Sequence, residues 1–194
     1  MVLGLERMRS GCATFGHPER EFPVFHVAGT NGKGSVSAMI ERALRAAGKR
    51  TGLFTSPHLC RWNERVAIDG QPIEDGPFEA ALERVLASGP PDFTFFETLT
   101  LAAFLAFRDA KVEALVLEVG LGGRLDATNV VPEPAATAIT SIARGLGGRY
   151  LEHEKLLGST VAEIAAEKAA IFKPRVPAVV GPLDDNRGDS RLED

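Results

Sequence analysis

Cysteine is nearly missing from this chain. Two residues, Cys12 and Cys60, stand far apart among 194, and neither has a CxxC or CxxH neighbour. That argues against a disulfide framework and a cysteine-based zinc site, and it fits free thiols in a reducing compartment. Long apolar runs are missing too. No stretch approaches the ~18 residues of a membrane span, and the opening Met1 to Arg9 lacks the apolar core of a signal peptide. Nor is there an excess of basic charge: 22 Lys and Arg stand against 26 Asp and Glu, a formal net charge of −4. Nucleic acid and anionic membranes therefore meet no attracting field, and any phosphate site must be a local device. What remains, 44 % hydrophobic and 25 % charged residues, is an ordinary globular composition with core enough for one domain. A cytoplasmic protein is expected.

Residues 1–22 read as polar and irregular, with a weak helical face at Leu3, Leu5 and Met8. Phe22 to Val27 reads as a buried strand, broken by Gly29-Thr30-Asn31-Gly32-Lys33-Gly34-Ser35. Helical spacing of Val36, Met39, Ile40, Ala43, Leu44 and Ala47 predicts a helix from Ser35 to Ala47, stopped by Gly48. Arg50 to Thr55 is a second apolar run, ending at Ser56-Pro57. Arg65 to Ile68 alternates into the turn signal Asp69-Gly70. Two helices follow, one capped near Asp75 and one from Phe96 to Ala110. Ala114 to Val119 is a buried strand that runs into Gly120-Leu121-Gly122-Gly123, and Ala136 to Ile142 is another. Thr160 and Glu163 form a capping box for a helix that Pro174 ends, and Val176 to Val180 closes the set. Strands alternating with helices predict an α/β fold, P-loop-type, with a mostly parallel sheet flanked by helices. In such sheets ligands bind at the carboxyl ends of the strands, so the breaks after them should gather on one edge.

Four places carry chemistry. Between strand and helix, Gly29 to Ser35 offers backbone amides and a helix N-terminus to phosphate, Lys33 as a point charge and Ser35 as an oxygen donor to Mg²⁺. Gly34 separates the lysine from the serine, unlike the usual GxxxxGK[ST]; a plain glycine-rich turn is the alternative. Glu118 at the end of a buried strand needs a partner, either a metal ion or an arginine such as Arg124. Ser56 at a strand end is either a hard oxygen ligand or part of a simple turn. His153 is either a ligand or an isolated histidine. Lys168, among Ile164, Ala165, Ala169 and Ile171, is placed by periodicity as a snorkelling lysine with its charge in water.

Taken together, the segments LGLER (3–7), FPVFHVAGTNGKGS (22–35), TGLFTSPHLCRWNERV (51–66), FFETLTLAAF (95–104), LEVGLGGRLDATN (117–129), ITSI (139–142), HEKLLGST (153–160) and IAAEKAAIFK (164–173) resemble the folylpolyglutamate synthase/dihydrofolate synthase family of the Mur ligase superfamily. The resemblance runs to about Pro182. It implies an ATP-dependent amide ligase that phosphorylates the carboxylate of dihydropteroate or a folate and lets glutamate displace the phosphate. By position, the resemblance implies that Gly29, Thr30, Asn31, Gly32, Lys33, Gly34 and Ser35 hold ATP. It implies Ser56, Glu118 and His153 as Mg²⁺ ligands, Lys168 as a carbamylated lysine, and Arg65, Asp126 and Ala127 at the pterin substrate. Lys33, Lys168 and His153 form the implied catalytic set.

The chain departs from the family pattern in three ways. The link from Ile142 to His153 is longer than usual and carries Glu152 where the family has aspartate. An initial helix is missing before Leu3. Finally, the pattern breaks off near its middle. The expected organisation is a partial Mur-ligase-like ATP-binding domain over residues 1–183, a polar tail over 184–194, and no C-terminal glutamate-ligase domain. On that reading the chain alone binds nucleotide without appreciable ligation, and self-associates or pairs with a complementing half. The rivals are a non-catalytic nucleotide-binding remnant, a cell-wall Mur-type ligase and, more remotely, a P-loop kinase. TSPHL and RWNERV speak against the second, and the loop after Glu118 against the third.

Overall fold

The computed structural model describes residues 4–142 and 160–181. Seven strands form one sheet in the order β4-β3-β2-β5-β1-β6-β7. They are β1 (Val24–Ala28), β2 (Thr51–Phe54), β3 (Val66–Ile68), β4 (Gln71–Pro72), β5 (Ala114–Glu118), β6 (Ala136–Ile139) and β7 (Ala178–Val180). β2, β5, β1, β6 and β7 run parallel, and β3 and β4 add antiparallel at one edge. The β3–β4 turn holds Asp69 at φ +51° and Gly70 at φ +76°, the two left-handed residues that a tight hairpin demands. The sheet is thus mostly parallel, as expected.

Among the described residues five α-helices flank it: α1 (Glu6–Thr14), α2 (Lys33–Ala46), α3 (Asp75–Ser88), α4 (Phe95–Asp109) and α5 (Val161–Ala169). Alternate residues of β1 point to one face, where Val24 joins the core under α4, and Ala28 joins Ile139, Ile164 and Ile171 under α5. Right-handed crossovers put α2 on the other face, against β1, β2 and β5. α4 is the keystone of the main core, with Leu99, Leu101, Phe104, Leu105 and Phe107 almost wholly buried. Its start is fixed by a capping box in which Thr94 accepts the Glu97 amide and Glu97 accepts the Thr94 amide.

Two expectations need correction. Residues 6–14 are helical, not irregular. Ser10 and Gly11 weaken the local preference, but Met8, Gly11 and Cys12 are buried and tertiary packing overrides propensity. A Cβ at position 11 would sit 2.6 Å from Phe93, so glycine is what lets α1 close on the core. The second concerns α2. It begins at Lys33, and Met39, read as part of its apolar face, is 70 % exposed, whereas Ser37 and Glu41 are buried. Glu41 is tolerated there because it accepts Thr51 Oγ1 at 2.6 Å and Arg45 Nε at 2.9 Å. Smaller shifts occur at ends: Glu74 rather than Asp75 caps α3, and α5 ends at Ala169, ahead of Pro174. Cys12 and Cys60 are both free. No helix among the described residues is long and apolar enough to cross a membrane.

Candidate nucleotide and metal site

The carboxyl ends of β1, β2, β5 and β6 converge, and the loops that leave them build the site. After β1, Gly29 has φ +152°, and a Cβ there would lie 1.9 Å from Thr140 Oγ1, so only glycine lets the chain pass. Gly32 caps α2 at φ +81°, turning the chain so that the helix starts at Lys33. The first intrahelical bond runs from the Val36 amide to the Gly32 carbonyl, which leaves the Lys33, Gly34 and Ser35 amides ahead of it without intrahelical acceptors. These amides, with the helix dipole, suit an anion. The loop is strapped down by the residues that follow β6. Thr30 donates its amide to the Ser141 carbonyl, Asn31 donates its amide to Ser141 Oγ at 3.1 Å, and Thr140 Oγ1 donates to the Asn31 carbonyl at 2.6 Å. A solvated glycine-rich turn would have no need of such ties.

Two lysines meet at one atom. Lys33 Nζ donates to the Gly29 carbonyl at 3.2 Å and to the Thr30 carbonyl at 3.4 Å, and Lys168 Nζ donates to the same Gly29 carbonyl at 3.0 Å. Lys168 is 5 % exposed, so the snorkelling position predicted from periodicity is wrong: its charge is not in water. Burial, and then the neighbouring Lys33 charge, push its pKa down to about 8.

Glu118, at the end of β5, is buried and lies across from the loop; a Cβ at position 34 would be 3.7 Å from its Oε2. Ser56, after β2, donates its backbone amide to Glu118 Oε2 at 3.4 Å. Burial pushes the Glu118 carboxyl up, while Lys33 and the Ser56 amide pull it back. Arg124, the arginine offered as the alternative partner of Glu118, bonds Glu167 at 2.7 Å instead. The contact with Glu118 is through the Ser56 backbone amide, so it brings Ser56 to the buried carboxylate, and a carboxylate with a serine hydroxyl would be a hard-oxygen pair of the kind Mg²⁺ or Mn²⁺ takes. Among the described residues no three His, Cys, Asp or Glu side chains gather into a metal cage. A cation that keeps waters and phosphate oxygens needs no such cage. His153 lies outside the described residues.

Asp126 and Ala127 are both buried. Asp126 caps the short 3₁₀ turn Ala127–Val130: it accepts the Thr128 amide at 3.0 Å, Thr128 Oγ1 at 2.6 Å and the Leu121 amide at 2.8 Å. Burial raises its pKa against these bonds. Asn129 extends the same tie, donating to the Arg124 and Ala170 carbonyls and accepting Lys173 Nζ at 2.9 Å.

Arg65 sits on the far side of the β2 loop. Its Nε donates to His58 Nδ1 at 2.9 Å, and its guanidinium lies 5.9 Å from the Phe95 ring centroid. Burial lowers its pKa. Phe95 in turn meets Trp62 edge-on at 5.1 Å, and both rings are about half exposed. Glu64 gathers the loop by accepting the amides of Leu59, Cys60 and Arg61, which hold its carboxyl below the usual range. The linear motif reading missed Trp62, Phe95 and Glu64. The only advance signal was an aromatic residue at the start of a predicted helix.

With this geometry in place, comparison with known proteins is direct. Residues 27–193 match the Mur ligase middle domain family. The dihydrofolate synthase/folylpolyglutamate synthase of Bacillus subtilis (strain 168) is 44 % identical over 186 residues, which cover 91 % of this chain and 41 % of that protein. The structure of E. coli FolC in complex with DHPP and ADP superposes with a TM-score of 0.85 at 41 % identity, covering 93 % of this chain and 42 % of that one. A bifunctional folylpolyglutamate synthase/dihydrofolate synthase from Yersinia pestis c092, complexed with AMPPNP and Mn ion, gives 0.85 and 41 %, over 95 % and 43 % of the two chains. The chain thus spans about two-fifths of the length of these relatives.

Proposed function

The chain belongs to the Mur ligase middle domain family, in its folylpolyglutamate synthase-like branch, and from that premise we propose that it is the ATP-binding part of a ligase joining glutamate to dihydropteroate or a folate. The observation that carries this reading is the convergence of three separate loops on one edge: the amides and Lys33 of the first, Ser56 of the second and Glu118 of the third. Residues 1–183 are read as one partial domain, with 184–194 a polar tail.

The roles follow from position. The Lys33, Gly34 and Ser35 amides cradle the β- and γ-phosphates, and Lys33 leaves the Gly29 and Thr30 carbonyls to neutralise them. Ser56 and Glu118, with His153 as third ligand, would hold a magnesium ion, which would supply neutralisation of phosphate charge. A carboxylate oxygen of the pterin substrate attacks the γ-phosphorus as the bond to the departing ADP oxygen breaks. The glutamate nitrogen then attacks the acyl carbon, phosphate leaves and the nitrogen gives up its proton. Both steps depend on positioning and charge more than on a protein nucleophile. Lys168, buried and with its pKa lowered to about 8, has a larger neutral-amine fraction than an ordinary lysine, and that fraction can add CO₂, forming an N–C bond and releasing a proton. The resulting carbamate turns a cation into an anion beside the phosphate loop. Arg65, Phe95 and Trp62 offer a cation and two aromatic rings to the pterin substrate, and Asp126 and Ala127 hold the loop after Glu118 that would meet it.

For the 194 residues tested alone, which span about two-fifths of the relatives' length, the narrower reading is nucleotide binding without appreciable ligation. The test combines calorimetry of ATP with Mg²⁺ and an assay for labelled glutamate transfer to dihydropteroate or tetrahydrofolate. Binding without transfer is expected. Absence of ATP binding overturns the nucleotide assignment, and robust transfer overturns the narrower reading.

A further inference from the structure

His26 takes no part in the chemistry above, yet it is among the most deeply buried polar side chains, 1 % exposed in the middle of β1. Its Nε2 lies 2.9 Å from Thr128 Oγ1, and Thr128 Oγ1 lies 2.6 Å from Asp126 Oδ1. The direction of this chain can be read from its far end. Asp126 already accepts two backbone amides, from Leu121 and Thr128, which can only donate. The Thr128 hydroxyl has one proton, and it goes to the carboxylate. Thr128 can then only accept from His26, so the ring carries its proton on Nε2 and leaves Nδ1 bare. Among the described residues Nδ1 is in fact buried without a partner. The reverse direction would put an unpaired N–H there, and buried N–H groups are the ones least often left orphaned. The charge of Lys173, close enough to be felt by the ring, also opposes a second proton.

We infer that His26 is a positioning residue: as the neutral Nε2–H tautomer it fixes the direction of a buried chain, His26 to Thr128 to Asp126, that holds the loop after Glu118 in register with the strand leading into the phosphate loop. His26 stands three residues before Gly29, and Asp126 pins Leu121, three residues after Glu118. The two glycine-rich loops are therefore joined through the sheet by side chains, in addition to the β1–β5 backbone pairing. The inference concerns the molecule's internal geometry; only its bearing on pterin binding rests on the ligase reading.

Imidazole-¹⁵N NMR of the whole chain at neutral pH tests the tautomer without any substitution. A protonated Nε2 and a bare Nδ1 are expected; a proton on Nδ1, alone or with Nε2, overturns the proposal. Amide exchange at Leu121 tests the positioning. His26→Leu should quicken it about three- to tenfold, the share of one buried hydrogen bond, while His26→Gln, whose side-chain amide can still donate to Thr128, restores slow exchange. Unchanged exchange in His26→Leu also overturns it, and should that variant not fold, the wild-type tautomer decides alone. Dihydropteroate titration separates the two readings. If the wild type fails to bind, the ligase reading suffers while the tautomer result stands.

Discussion

The two walls of the site are built on opposite principles. On the β1–α2 side, consecutive residues do everything. The backbone supplies the donors, Asn31, Gly32, Gly34 and Ser35 are exposed, and the Lys33 ammonium bonds carbonyls of its own loop. On the β5 side, Glu118, Asp126, Asn129 and Lys168 are buried; Asp126 is satisfied within its own loop, while Glu118, Asn129 and Lys168 take partners from distant segments. Charges left in water can serve a ligand at little cost to folding. Charges buried in the second wall acquire shifted pKa values and become part of what keeps the fold together. Substitutions on the first wall should therefore be felt in binding, and those on the second in stability.

The sharpest way to break this contrast is Asp126→Ala. It strips the acceptor from two backbone amides and a hydroxyl, and each buried donor left unpaired costs ~1–3 kcal/mol, so a loss of about 3–5 kcal/mol in urea unfolding is expected. A loss below about 1 kcal/mol would mean the second wall is not structural. Lys33→Ala is the mirror case. Stability should stay within ~0.5 kcal/mol, while ATP affinity by calorimetry falls ~10- to 100-fold with the lost charge-assisted bonds. Acid titration sharpens the picture. The pKa of His26 is about 3 in the fold because burial disfavours its charge, with Lys173 adding to that, against ~6.5 in the unfolded chain. The unfolded state takes the proton first. This contribution is therefore complete above pH ~6.5 and drains away as the pH falls toward 3, by at most ~1.4 kcal/mol per unit. A flat stability profile from pH 6.5 to 4 would contradict it.

Lys168 gives a smaller, spectroscopic effect. With a pKa of about 8 rather than the usual ~10.4, its neutral fraction grows between pH 7 and 9, and a ¹³CO₂-derived carbamate signal should grow with it. Lys168→Arg should erase the signal, and its persistence in that variant would assign the adduct elsewhere. Least of all should Met39→Glu matter. Met39 is 70 % exposed beside a shallow groove along α2 lined by Ala38, Arg42, Ala43 and Ala46, so stability should change by under ~0.5 kcal/mol. A drop in self-association on sedimentation would identify that face as the contact between copies.

Legibility in the sequence divides along the same line. The first wall could be read because Gly29 to Ser35 is contiguous and lies between a strand and a helix, and the parallel sheet could be read because its strands are short apolar runs. The second wall could be read only in part: Glu118 stands out at the end of an apolar strand, but its surroundings do not. Nothing near Lys168 in sequence says that its ammonium reaches Gly29, and nothing near His26 points to Thr128. The burial of Glu41 was hidden because its partner Thr51 lies beyond the helix end. Trp62 and Phe95 meet only once β2 and α4 are packed. Long-range pairing is what periodicity cannot see.

The two margins of the sheet differ in one further respect. At one margin β4 ends in Pro72, which has no amide to lend, and the two-residue strand is too short to template another. At the other, β7 is exposed throughout, with Val179 at 66 % and Val180 at 51 %, and its parallel pairing with β6 satisfies only the inner side. Among the described residues the sheet is therefore polar in its capacity to grow. A strand arriving from elsewhere, in cis or in trans, would find ladder partners at the β7 margin and almost none at the hairpin. Among the described residues, a single proline at one margin and three exposed residues at the other thus set which side of the sheet can take a further strand.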